Sequence, residues 1–229
     1  LSTLMPWITN GDRISGKLWV DLLLSGRGST SALEGSLKIQ KGFYEIAEFG
    51  TCIGNIQGDF KAKGSRLIIH SLQATDGTRR TNKHGQLTGQ GFIDLKEPLN
   101  PLLAISLYLN DFQVAASDSF FARAEGTISL KGYREQAKVE GTVTLNPAGL
   151  LLEEINPTPT IPTIKLSGQD LEKTKPKLEE GELKIFPIAL KLKTPKRFMI
   201  QGFGLDSLWE GEMEVVNYLS DTQLVGKVH

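Results

Sequence analysis

A short phrase centred on glycine recurs along this chain, and it constrains the fold more than any other feature. An apolar residue, any residue, a glycine, any residue and a second apolar residue follow one another, and the alternation then continues. The clearest copies lie at residues 33–39, 124–130, 139–145 and 208–215. Alternation with a period of two places the apolar side chains of a strand on one face. Because the phrase recurs, we expect an all-β fold of many similar strands packed side by side.

The spacing of the phrase indicates how these strands are connected. Gly126 and Gly141 are 15 residues apart, and Gly211 and Gly226 have the same separation. This distance suits one strand, a turn and the next strand, so hairpins are predicted at both places. Glycine is also abundant overall, with 24 copies, which is typical of strands that bend, bulge or turn repeatedly.

The aliphatic face of the alternating strands is the candidate functional surface, and the opposite face carries Lys, Ser, Thr and Glu. The pattern alone favours the core of a closed β-sandwich. About a dozen strands at ~4.8 Å spacing would instead make a sheet roughly 55–60 Å wide, long enough to curl around an apolar groove for acyl chains. In either case the residues predicted to line the apolar surface are Leu37, Ile39, Ile128, Leu130, Val143, Leu145, Leu183, Ile185, Leu190, Leu192, Met213 and Val215.

Charge and cysteine content exclude several classes of function. Lys plus Arg equal Asp plus Glu at 26 each over 229 residues, so we expect no nucleic-acid partner. The single cysteine, Cys52, forms no internal disulfide and is expected to pack as a small hydrophobe. No apolar stretch is long enough for a membrane helix. Because the chain begins without Met, we expect it to be a piece of a longer protein, with any membrane anchor outside it.

The residue types that carry chemistry are scattered, so we predict no enzyme activity, no cofactor and no metal. His70, His84 and His229 lack the spacing of a metal site. The segment 202–206 begins like a dinucleotide-binding loop but lacks its third glycine. The scattered Trp residues, without paired acids, make a carbohydrate-active enzyme the weakest of the hypotheses considered.

One segment interrupts the strand pattern. Residues 156–176 are rich in proline and charge, and proline cannot donate regular ladder hydrogen bonds. We expect a mobile loop there, within a single β domain that spans residues 1–229.

The order of several phrases resembles the carboxy-terminal region of the TamB family. A turn at Asn100-Pro101 precedes a Leu-x-Leu strand and residues 112–114. The phrases at 124–132 and 139–145 follow, and residues 200–211 match the family's strand, Gly-x-Gly-Leu and aromatic-x-Gly phrase. The resemblance covers most of the chain, with the segment 156–176 poorly matched.

This resemblance implies an elongated sheet curled into a taco shape (a β-taco) with a hydrophobic groove. It places the chain in the periplasm of a Gram-negative bacterium, as part of an inner-membrane-anchored protein whose anchor lies outside it. It implies passage of phospholipid between the inner and outer membranes, or assembly of outer-membrane proteins with a TamA-like outer-membrane barrel protein. Phospholipid acyl chains and the barrel protein are the implied partners, and no catalytic residues are implied. The alternative function is a non-catalytic β scaffold that binds a partner by adding a strand to its edge.

Overall fold

The computed structural model describes residues 12–26, 32–47, 49–77, 84–152, 187–218 and 221–228, and all regular elements in these ranges are β-strands. Most of the strands are long, with 13 to 15 residues in eight of the eleven. They are β1 (Arg13–Ser25), β2 (Ala32–Ile46), β3 (Thr51–Gly64), β4 (Arg66–Asp76), β5 (Gln86–Asp94), β6 (Leu102–Ala116), β7 (Phe120–Tyr133), β8 (Lys138–Leu151), β9 (Ile188–Gly202), β10 (Leu205–Tyr218) and β11 (Asp221–Val228).

The eleven strands form one sheet in which spatial order follows sequence order, from β1 at one edge to β11 at the other. Neighbours are antiparallel except for β8 and β9, which are parallel. The predicted loop at 156–176 falls between these two strands and lies outside the described residues. The two hairpins expected from the glycine spacing are confirmed as β7–β8 and β10–β11.

The strand register brings the aliphatic residues of successive strands onto one face, here called the trough face, and the opposite face is called the outer face. Partners directly across a ladder point to the same side of a sheet. One unbroken row on the trough face therefore crosses ten strands, from β1 to β10, through Leu18, Ile39, Gly58, Leu72, Gly89, Leu107, Ile128, Gly141, Leu190 and Val215.

Two glycines of the recurring phrase show why that position has no side chain. Gly35 and Gly126 have φ values of +127° and +149°, in the region that L side chains rarely adopt. A Cβ at Gly35 would overlap the carbonyl oxygen of Asp21, and a Cβ at Gly126 would overlap that of Thr142. The phrase therefore marks places where neighbouring backbones approach closely and the sheet can bend sharply.

A line of irregularities, here called the crease, crosses the sheet. Register shifts fall at neighbouring levels on most of the strand pairs, as between Ser15 and Lys17 on β1. Lys41, Asn55 and Asp111 lie on this line with φ near +50°, and the peptide bond between Asn146 and Pro147 on β8 is cis. Bulges bend a strand and increase its twist. A row of bulges therefore folds the whole sheet along one line.

Burial is deepest along the crease. The central cluster of apolar residues contains Leu109, Phe112, Ala115, Ala122, Ala124, Val143, Leu145 and Ala148. Since a single sheet is present over the described residues, this burial comes from the sheet curling over its own face. The sheet does not close into a barrel. The predicted curled sheet is confirmed, and the alternative of a closed two-sheet sandwich is wrong, because the bulges let one sheet bend instead of pairing with a second.

Candidate functional site: an apolar trough

The trough face is the candidate functional site, and the structure brings the described part of the predicted lining together on it. Ten of the twelve predicted residues lie on that face. Val143 of β8 is directly opposite Gly126 and Leu192, and Leu192 is in turn opposite Met213. Leu183 and Ile185 lie outside the described residues.

The exposure of the trough face changes from its floor to its end. Val143, near the crease, is only 4% exposed. Leu37, Ile128 and Leu190, farther along their strands, are half-buried. Leu18 on the edge strand β1 is 62% exposed. The trough therefore has a closed floor, half-open walls and an open end at β1.

The outer face is charged over the same strands. Lys191 and Lys193 on β9 lie opposite Glu214 and Glu212 on β10. The ammonium Nζ of Lys193 donates to Oε1 of Glu212 at 2.8 Å and lowers the pKa of that exposed carboxyl. A cleft of about 880 Å³ at β9 and β10 is lined by side chains of both faces, including Lys191, Glu212, Leu192 and Met213. The contrast in polarity between the faces makes the sheet amphipathic across its thickness.

Sequence reasoning missed part of the floor, which comes from β3 to β6. Phe60, Ile69 and Leu72 lie on the trough face through the same row of register partners. Leu109 and Phe112 on β6 belong to the central buried cluster. The alternation in residues 66–74 and 102–109 could have indicated most of these residues. Phe112 follows the bulge at Asp111, where a strict period of two fails.

Strands β3 and β6 contact each other directly, past the ends of β4 and β5 that lie between them. Strand β5 begins at Gln86, opposite Asn110, so the last residues of β6 have no β5 partner. They meet β3 instead. Thr51 Oγ1 donates to the carbonyl oxygen of Val114 at 2.6 Å. We call this contact between the start of β3 and the end of β6 the joint.

An ionic cluster lies beside the joint. The carboxylate of Asp76, with no exposed side-chain surface, accepts from Nη2 of Arg123 at 3.0 Å and from the backbone N–H of Gln113 at 3.2 Å. Nε of Arg123 also donates to Oδ1 of Asp111 at 2.6 Å. Asp111 foremost, and then Asp76, hold the pKa of the Arg123 guanidinium above its usual value. Nδ1 of His84 lies 3.6 Å from the other Asp76 oxygen.

Residues that could ligate a metal are dispersed over the part of the chain that the structure describes. Within it, no three of His, Cys, Asp and Glu are grouped as for a metal ion. Cys52 is half-buried, and burial, followed by the charge of Glu45, raises the pKa of its thiol. Among the described residues, no helix is both long and apolar enough to cross a membrane.

The fold and site together define a class of protein: a long, single-layer sheet curled around a continuous apolar trough. The family model of the TamB C-terminal domain matches residues 75–229. The chain therefore belongs to the TamB C-terminal domain family. That family comprises envelope proteins of Gram-negative bacteria and is not known for enzyme activity. No curated protein and no solved structure gives a significant match to the chain.

Proposed function

We propose that the trough conducts phospholipid acyl chains across the periplasm, between the inner and outer membranes. The observation that supports this most is the unbroken row of aliphatic residues and glycines across the sheet, which ends in an exposed edge strand. Ten strands spaced ~4.8 Å apart make this row roughly 45 Å long. Membership of the TamB C-terminal domain family adds a role in the outer-membrane translocation and assembly system, alongside a TamA-like outer-membrane protein.

The energetic basis of the proposal is the hydrophobic effect. Exposure of an acyl chain to water costs about 0.8 kcal/mol of free energy for each methylene group. The walls offer aliphatic side chains such as Leu37 and Leu190, both half-buried and therefore partly accessible. Polar groups on the same strands, such as Lys38 and Lys191, belong to the outer face. A wall without polar groups gives a lipid tail no fixed position, which suits a cargo that slides.

A second candidate function is a scaffold that binds a partner strand. Strand β1 hydrogen-bonds only to β2 among the described strands, so its other edge is free to pair. It also exposes apolar side chains on both faces, including Trp19 and Leu23 opposite outer-face partners and Leu24 on the trough face. A long apolar edge of this kind is a template for strand addition.

Photo-crosslinking in cells tests lipid conduction. A photoreactive residue at Leu190 places the probe on the half-buried wall, and the same residue at Lys191 provides the adjacent outer-face control. We expect phospholipid to be captured from position 190 and not from position 191. Leu37 and Lys38 form a second matched pair on β2, near the open end of the trough.

The alternatives give different results in the same experiment. Equal capture at the trough-face and outer-face positions, or none at either in a folded protein, would overturn lipid conduction. Protein adducts from probes along β1, without lipid adducts in the walls, would favour the scaffold.

A further inference from the structure

Among the described residues, the joint is the part of the trough wall where two neighbouring strands share the fewest hydrogen bonds. Elsewhere neighbouring strands are held by ladders of eight or more register pairs. The joint has two hydrogen bonds, one from the side-chain hydroxyl of Thr51 to the carbonyl oxygen of Val114 and one from the N–H of Ala116 to the carbonyl oxygen of Phe49 at 2.8 Å. Such a short contact opens at a lower free energy than a full ladder.

The floor of the trough lies directly behind this contact. Phe112 and Ala115 on β6 are 2% exposed and belong to the central apolar cluster. Ile53 on β3, two residues after Thr51, packs against the same cluster. Separation of β3 from β6 at the joint would therefore open a side passage to apolar surface, and not to a polar cleft.

Arg123 holds the elements around this passage together. Its guanidinium, on β7, contacts Asp76 at the end of β4 and both the carboxylate and the carbonyl oxygen of Asp111 at the β6 bulge. Asp76 in turn accepts from the N–H of Gln113 on β6. Three strands thus meet through one side chain that is only 19% exposed. Hydrogen bonds between charged groups are stronger than the neutral bonds of the joint itself.

We propose that Arg123, with Asp76 and Asp111, is the latch of a side gate in the trough wall at the joint, through which an acyl chain enters or leaves the floor. The identity of the cargo rests on the proposed lipid conduction. Arg123 acts here as a positioning residue, because it holds Asp76 and Asp111 and does not line the floor.

The native cysteine reports the state of this gate. Cys52 follows Thr51 of the joint, and its carbonyl oxygen accepts from the N–H of Gly77 at 2.8 Å. Gly77 follows Asp76, so release of Asp76 disturbs the packing around Cys52. In the 229-residue chain we expect Arg123→Met to speed labelling of Cys52 by a maleimide at least about tenfold, because its bonds to two carboxylates are lost.

Two variants separate gate opening from general destabilisation. Arg66→Met removes a more exposed Arg–Asp pair, with Asp94, at the opposite ends of the strands. Val143→Ala weakens the same buried cluster from β8, at a residue that makes neither hydrogen bond of the joint. Labelling through a local gate is independent of urea at low urea, whereas labelling through global unfolding rises with urea. Arg123→Lys, which keeps a positive charge, should bring the rate back towards that of the unaltered chain.

Uptake of a fluorescent phospholipid from phosphatidylcholine vesicles then tests the cargo. We expect faster uptake by Arg123→Met than by Arg66→Met. Equal Cys52 labelling in Arg123→Met and Val143→Ala, or uptake that does not respond to Arg123, would overturn the gate even where the wall at Leu190 captures lipid. Labelling that depends on Arg123, without any lipid capture at Leu190, would instead overturn conduction and the acyl cargo together.

Discussion

The gradient of burial along the trough face predicts that one type of substitution, apolar to Asp, has different effects at different places. Val143 is 4% exposed, lies opposite Gly126 and Leu192, and has no cationic register partner. A carboxylate there would be buried and unpaired, which costs about 3–5 kcal/mol. The total stability of a domain is about 5–15 kcal/mol, so we expect Val143→Asp to unfold the sheet or leave it marginal.

The same substitution at the open end of the trough should be tolerated. Leu18 lies on the same face but is 62% exposed, so a carboxylate there keeps much of its hydration. Thr142→Asp is the outer-face control, next to Val143 in sequence, exposed, and opposite Lys191. We expect both variants to stay within about 0.5–1 kcal/mol of the unaltered chain.

Urea denaturation followed by far-UV circular dichroism measures these differences. An equal urea midpoint for Val143→Asp and Thr142→Asp would contradict a buried floor, because position 143 would then be accessible to water. The reasoning from burial also fails if Leu18→Asp unfolds the chain, because the open end would then be packed against something the sheet does not show.

Two further predictions concern the glycine phrase and the effect of pH. Gly126→Ala should lower stability by more than about 1 kcal/mol, since the new Cβ would overlap the carbonyl oxygen of Thr142, whereas Gly54→Ala, with only ordinary contacts, should not; equal urea midpoints would refute this explanation of the phrase. A hydrogen bond from Ser65, followed by one from Arg66, lowers the pKa of the Asp94 carboxyl below 3.8. The ionised carboxylate therefore stabilises the folded chain above that pH, and this contribution is lost as the pH falls through the lower pKa of the folded state. Asp94→Asn should therefore be less stable at neutral pH by less than about 1 kcal/mol and approach the unaltered chain in acid, and a difference that persists or grows in acid would contradict the assignment.

The regular part of the sheet could be predicted from the sequence because it depends on local pattern. The alternation at residues 124–130 and 139–145 assigns the trough face of β7 and β8 residue by residue, and the register pairs of Gly126 and Gly141 agree with it. A period of two is a property of each strand alone, so it needs no knowledge of the neighbours.

The crease could not be predicted in the same way, because its bulges are identified only by the register between strands. The residue type of Lys41 does not mark it as left-handed, and Asp111, although Asp adopts this conformation more often than most residues, lies within a strand where regular extended backbone is expected. By local preference alone, residues 118–125 could form one helical turn, yet β7 begins at Phe120 and the chain only turns before it. Tertiary pairing decides such positions, and local preference follows it.

The same distinction explains why the alternation alone favoured a sandwich. An apolar strand face needs cover, and two packed sheets are the commonest way to provide it. Here the aligned bulges let one sheet supply its own cover near the crease, as Phe112 and Ala148 show by their near-complete burial. Cover then decreases with distance from the crease, which leaves the walls half-open. A trough with a buried floor and half-exposed walls is therefore a direct consequence of where the bulges lie, and the position of the crease determines how much apolar surface stays exposed.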